Sequence, residues 1–318
     1  MNKYPFIIIL IVGLIISSCG GDDSPVTSID QEVQVWLDSA GISATRDDNT
    51  GIYYYSDLTN TSGTAASAGS VASIYYTLSD LDGNVIASHQ RSDGDSLTFK
   101  VGASAVYPVG VDFAVGLMRA GEVFNFILPP AQAYQELTSG AISPNTIVHL
   151  QVELVDVNTE ANIFAQDRVD IRQYIATNFL DSLAINPTDS TEEYPTGIVY
   201  KRRRIGTGSV PMLSDTIIVD YTGRFLDDSG FDSGSGFQWI YGSDTPRELL
   251  GAFEFGVSLM QTNEQALIMI PSDHGYRESA LIVPASITDD LIVDEIIPDY
   301  VASVPPYRVL LFEITRVD

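Results

Sequence analysis

The sequence predicts an α+β fold built twice, each copy a mostly antiparallel sheet with one short α-helix inside it and a helical segment ahead of it. Three observations predict this. Two segments displaced by roughly 145 residues follow one plan. Each opens on helical spacing and then changes to two-residue alternation. One short helical run interrupts the strands of each.

The elements follow in order. In the first copy Ile29, Val33, Trp36 and Leu37 fall on one helical face, with Ser28 and Gln31 spaced as a capping box. In the second, Ile171, Tyr174, Ile175 and Phe179 form the matching face. The words TGIYY (Thr50 to Tyr54) and TGIVY (Thr196 to Tyr200) come next, and the period becomes that of strands. VDFAVGLM from Val111 and FEFGVSLM from Phe253 are the short inner helices. At the ends, Val148, Leu150, Val152 and Leu154 point one way and His149, Gln151 and Glu153 the other, and Leu310, Phe312 and Ile314 keep that alternation. The expected division is a leader at 1–18, a tether at 19–28, and domains at 29–158 and 159–318.

With 318 residues, 45% of them apolar, the chain can supply a core to each of two domains. Its 16 Lys and Arg stand against 42 Asp and Glu, a formal charge of −26 that repels a phosphate backbone, so nucleic acid is not expected as a partner. The start, MNKYPFIIILIVGLIISSCGG, sets Lys3 ahead of an apolar run from Pro5 to Ile16, then small residues and the only cysteine, Cys19. This is the three-part build of a secretory leader, and the run is short for a bilayer span. Ile16-Ser17-Ser18-Cys19 resembles the lipobox of bacterial lipoproteins, which implies a lipidated Cys19; the alternative is a buried thiol at the end of an uncleaved anchor. At roughly 0.8 kcal/mol per buried methylene, several acyl chains would hold the protein at a membrane of the cell envelope, the outer one in the lipoprotein reading. Without a second cysteine no internal disulfide is possible. Asp22 and Asp23 lie in a solvated stretch that resembles the surface-export signal of Bacteroides-group lipoproteins and reads equally well as an acidic linker.

The second copy carries GTG at Gly206, DTIIVDYTGRFLDDSGFDSG from Asp215, FQWIYG from Phe237, the short helix, IMIPSDHGY from Ile268 and PPYRVLLFEITRV from Pro305. In that order these words resemble the FK506-binding-protein (FKBP) type of peptidyl-prolyl isomerase. The first copy is similar more loosely, through DLDGNV, LTFKVG, LMRAGEVFNFILPPAQAY and TIVHLQVELVDV. The tandem arrangement behind a lipobox resembles FKBP-like lipoproteins of Bacteroidetes.

The resemblance implies two FKBP-like domains, each a curved antiparallel sheet wrapped on a short helix, and rotation of X-Pro bonds in unfolded or secreted polypeptides without cofactor or metal. The chemistry needs no nucleophile. Amide resonance sets a barrier of about 18–20 kcal/mol, and a dry site favours the twisted, less charge-separated amide over the planar one. The resemblance implies a pocket walled by Tyr221, Phe231, Phe237, Leu250, Phe253, Tyr276 and Phe312, with Asp232 as its one carboxylate and Leu249 offering backbone. Phe253 stands where the family usually has Trp. From periodicity and local context alone, Tyr221 reads as sheet packing, Asp232 as a turn cap, Tyr276 as a loop ring and Phe312 as core. Asp227 and Asp228 read as hairpin-turn residues.

The first copy departs from this pattern. Tyr76 and Tyr134 hold the two Tyr positions, but Ala87 replaces the carboxylate, Ile86 and Leu97 replace aromatic walls, Val111 replaces the floor ring and Leu150 replaces Phe. A weak or inactive domain, used for holding peptides, spacing or dimer contact, is the expectation. The segment Arg277–Val304 is far longer than its partner Gln135–Ser143, and reads as a lid, a grip for an extended chain, or a locally packed decoration. Gly94-Asp95-Ser96-Leu97 spells an esterase word without the Asp and His that would complete it, and His89, His149 and His274 lack metal-ligand spacing. Two functions are thus carried forward: an envelope-anchored isomerase, and a lipoprotein that holds peptides in the same grooves without turning them over.

Overall fold

A computed structural model describes residues 28–140, 142–179, 191–242, 250–277, 279–297 and 304–318. Cys19, the leader and most of the tether lie outside the described residues, as does Leu249. The first half runs α1 (Ile29–Ala40), β1 (Thr45–Arg46), β2 (Tyr53–Leu58), β3 (Val71–Asp80), β4 (Val85–His89), β5 (Leu97–Lys100), β6 (Val106–Tyr107), α2 (Val109–Gly116), β7 (Glu122–Leu128) and β8 (Val148–Asn158). The second runs α3 (Glu160–Asn178), β9 (Thr191–Glu193), β10 (Val199–Arg204), β11 (Thr216–Arg224), β12 (Gly230–Ile240), α4 (Gly251–Ser258), β13 (Gln265–Ile270), β14 (Leu281–Ile282), α5 (Thr288–Val293) and β15 (Leu310–Arg316).

The repeat is topological as well as verbal. One sheet has the order β1-β2-β7-β8-β3-β4, with β5 also on β3, and the other β12-β11-β15-β13-β10-β9. Read from opposite edges, β2-β7-β8-β3 and β10-β13-β15-β11 are the same path, and every pair along it is antiparallel. The inner helices α2 and α4 bury Val111, Ala114 and Val115, and Ala252, Phe253 and Val257, against one face of their sheets.

The leading helices cover the other faces. On α1, Val33 and Leu37 pack with Tyr53, Ile127 and Ile147; on α3, Ile171 packs with Val199, Leu267, Met269 and Leu311. This is why Leu311 is buried although it is out of phase with Leu310, Phe312 and Ile314. The Ser28–Gln31 capping box forms in both directions. One expectation is corrected: Ile29, the first residue of α1, is exposed. The second helix runs from Glu160, at the start of the expected second domain, with Thr159 Oγ1 accepting from the Asn162 N–H at 3.2 Å as its cap.

Glu160 joins the halves, accepting from Lys100 at 3.1 Å and from the Tyr307 hydroxyl at 3.0 Å. A larger junction lies in the 277–304 segment. There β14 pairs in parallel with β6, and Leu281, Val283, Ile287 and Leu291 enter the core of the first half.

Candidate active site

In the second half the ring-bearing positions converge because three strands and one helix present them to one space. On β11, Ile217, Val219 and Tyr221 face α4; β15 contributes Phe312, β12 Phe231 and Phe237, and the helix Phe253. Phe253 and Phe312 are only 3% and 4% exposed and form the floor, with ring centroids 4.9 Å apart, edge to face. Tyr221 stands over both, at 5.5 Å from Phe253 and 6.2 Å from Phe312, and meets Phe237 at 5.9 Å. Phe231 meets Phe312 at 5.4 Å. Tyr221, Phe231, Phe237, Leu250 and Tyr276 are half-buried, as expected of walls rather than core.

Two glycines make the space. A Cβ on Gly223 would lie 2.7 Å from Phe231 and 3.1 Å from Phe312, and one on Gly234 would lie 2.6 Å from the Tyr221 ring. Each glycine sits opposite one of these residues in the sheet register, Gly223 against Phe312 and Gly234 against Tyr221.

Asp232 Oδ2 accepts from the Tyr221 hydroxyl at 2.9 Å, while Oδ1 takes the Ser233 N–H at 2.7 Å. Burial, then the hydrogen bond and charge of Asp232, push the Tyr221 phenol up to about 12. Burial, then the charge of Asp232, raise Tyr276 as well. Both phenols therefore remain donors at neutral pH. Because the folded-state value of Tyr221 lies above the ordinary 10, its contribution to stability is complete below pH 10 and is lost as pH rises from there toward about 12. Phenolate absorbance followed to pH 12.5 should show a late phase to which several buried tyrosines contribute, and Tyr221→Phe should lower its amplitude by one tyrosine. An unchanged late phase in that variant would contradict the assignment.

Tyr276 is held from outside the cup. It follows a 3-10 turn, Ser272–His274, and buried Asp167 on α3 accepts from the Ser272 N–H at 2.9 Å and the Ser272 hydroxyl at 2.5 Å. Burial raises the Asp167 carboxyl even against those two donors. Next to it Arg168 donates to Asp273 at 2.8 Å and to the Thr196 carbonyl at 2.7 Å.

The sequence reading missed these two residues, and also Phe225 and Trp239. Phe225 stacks on Phe231 at 4.9 Å, with the Arg308 guanidinium 4.5 Å over its other neighbourhood. Trp239 lies between Phe237 and Phe253, at 5.5 and 6.3 Å, and its indole N–H is buried without a partner among the described residues. Spacing carried the signal for Trp239, two residues beyond Phe237 on the same face of β12. Asp227 and Asp228 lie in the β11–β12 turn as expected, Asp227 accepting from the Ser229 N–H at 3.0 Å and Asp228 at φ 65°.

In the first half Tyr76, Val111, Tyr134 and Leu150 lie in one core cluster, with Ile86, Ala87 and Leu97 packed against it. Leu281, Val283, Ile287 and Leu291 belong to the same cluster, and Tyr134, 1% exposed, donates its hydroxyl to the Val283 carbonyl at 2.6 Å. Of the described residues of 277–304, those from Leu281 to Leu291 pack into the first half, a placement that the lid, grip and local-decoration readings did not name.

An antiparallel sheet packed on one short helix, with an aromatic cup between them in the second half, places each half in the α+β class. The chain belongs to the FKBP-type peptidyl-prolyl cis-trans isomerase family, whose profile matches residues 62–155 and 208–316, one match in each half. Among solved structures, the three FKBP domains of wheat FKBP73 align at 18% identity over 87% of this chain and 98% of that one, with a TM-score of 0.32. FkpA from Escherichia coli aligns at 22% identity over 40% of this chain and 57% of that one, with a TM-score of 0.35. A peptidyl-prolyl cis-trans isomerase from Pseudomonas syringae aligns at 20% identity over 50% and 93%, with a TM-score of 0.32. No curated protein matches the chain. Among the described residues no helix is long and apolar enough to cross a membrane.

Proposed function

We propose that the cup of the second half is the isomerase site, and that it rotates X-Pro bonds of secreted or envelope polypeptides from a lipid anchor at Cys19. The observation that carries this reading is the convergence of Tyr221, Phe231, Phe237, Phe253 and Phe312, with neighbouring ring centroids 4.9 to 6.2 Å apart, beside a phenol bound to Asp232.

The substrate proline ring enters over Phe253 and Phe312. As the amide twists, its carbonyl loses the charge separation that water stabilises, so an apolar floor lowers the barrier relative to solvent. The Tyr276 hydroxyl donates to a substrate carbonyl and fixes the chain on one side of the rotating bond. Asp232 fixes the Tyr221 ring by accepting from its hydroxyl, which keeps the wall upright. The backbone at Leu249 offers the substrate a further hydrogen bond.

The chain without its first 19 residues, assayed with a proline tetrapeptide, is expected to accelerate isomerisation. Asp232→Ala is expected to lose about tenfold in kcat/KM, the equivalent of roughly 1.4 kcal/mol of transition-state stabilisation. No acceleration by the wild type, or no change in the variant, would count against the reading. The second function, holding chains without turnover, is favoured by one observation in the other half: that groove already contains a proline-bearing segment.

A further inference from the structure

We infer that the groove of the first half is a peptide receptor whose resident ligand is the segment Leu281–Leu291 of the second half, and that an extended aliphatic, proline-containing polypeptide binds there only in exchange for it. The contacts are those of a bound chain. The Leu281 N–H donates to the Ala105 carbonyl at 2.7 Å and the Val283 N–H to the Tyr107 carbonyl at 2.8 Å, a short parallel strand added beside the groove. The buried Tyr134 hydroxyl then donates to the carbonyl that precedes Pro284. Beyond the proline, Ile287 and Leu291 are buried in the core cluster that holds Tyr134, and Asp290 accepts from the Ser139 hydroxyl.

The walls match this ligand. Tyr76, Val111 and Leu150 hold the places on β3, α2 and β8 that Tyr221, Phe253 and Phe312 hold on β11, α4 and β15. Replacing two rings by Val111 and Leu150, and others by Ile86 and Leu97, enlarges the hollow. The aliphatic side chains of the segment occupy the gain. The loss of the carboxylate at Ala87 removes the one charge that would have faced them.

A tethered ligand competes at an effective concentration on the order of millimolar. The free peptide Leu-Ile-Val-Pro-Ala-Ser-Ile-Thr-Asp-Asp-Leu, the sequence of 281–291, should therefore bind the wild-type chain no better than roughly 1 mM. Once the resident segment is unseated the peptide should show its own affinity. The test titrates this peptide, fluorescently labelled, into the full chain and into the full chain carrying Leu281→Ser, Val283→Ser and Leu291→Ser. At least tenfold tighter binding to the triple variant is expected, and adding Tyr134→Phe should weaken it about five- to tenfold by removing the buried hydrogen bond. A triple variant with native near-ultraviolet circular dichroism and no gain in binding would overturn the inference.

Should that variant fail to fold, hydrogen exchange on the unaltered chain decides. The Leu281 and Val283 amides are expected to exchange at least tenfold faster than those of Leu150 and Val152 in β8, and equal protection would make the segment ordinary core. Because the readout is binding in the first half, an inactive second cup would leave this inference standing.

Discussion

Phe312→Ala is expected to abolish measurable isomerisation and to lower folding stability by about 3–5 kcal/mol, the usual cost of removing a fully buried ring. Phe312 is both core and cup. It pairs with Gly223 on one side and Ile268 on the other in the sheet, and its ring touches those of Phe231, Phe253 and Tyr221. Alanine leaves a void on the floor into which Phe253 and Phe231 can tilt. The fold and the function separate in Phe312→Leu. Leu150 holds the equivalent strand position in the first half, so leucine suits the strand even though no inserted segment among the described residues fills the second cup. That variant should lose only about 1 kcal/mol, as volume-similar apolar exchanges do. Its kcat/KM should nevertheless fall at least about tenfold, since the aromatic wall is what the proposed site uses. Wild-type turnover in the leucine variant would remove Phe312 from the mechanism.

Glu264→Ala is expected to cost about 3–5 kcal/mol, because it strands the partners of a fully buried carboxylate. Glu264 accepts from the Tyr200 hydroxyl, from Arg202 Nε at 2.7 Å and from the Gln261 N–H at 2.9 Å. It thereby ties the turn before β13 to strand β10. Burial, then the hydrogen bond to Glu264, hold the Tyr200 phenol far above its ordinary value, so it donates at every pH at which the protein is handled. The first half repeats the device: Glu122 accepts from the Asn60 N–H at 3.0 Å and the Arg119 N–H at 2.7 Å. Urea denaturation should give a smaller loss for Glu264→Gln, which keeps one acceptor, than for alanine. A loss under about 1 kcal/mol for alanine would mean that the carboxylate is no keystone.

Much of this architecture was legible in the residues, and the gaps have physical causes. The repeat, the inner helices and the alternation of β8 and β15 are local periodicities, which a sequence displays directly. The start of α3 was hidden because its first turns bury little: Asp167 and Ile171 are its buried residues, and an Asp carries no apolar period. That concealed the anchoring of the Ser272–His274 turn. The aromatic cup was readable through family words, whereas spacing alone left Tyr221 and Phe312 as sheet residues. Leu281, Val283, Ile287 and Leu291 are apolar residues in a long loop, and nothing near them in the sequence names their partner. A contact between β14 and β6 joins residues far apart along the chain, and no local pattern encodes it.

The seating of 281–291 in the first half also bears on the order of synthesis. The last strand of the first half, β8, ends at Asn158, yet Val283 is added about 125 residues later, on the order of ten seconds at roughly 5–20 residues per second. Throughout that interval the first half lacks four side chains of its final core, Leu281, Val283, Ile287 and Leu291, and the Val283 carbonyl that accepts from Tyr134. Chaperones that shield apolar surface would be needed most while the second half is still being translated.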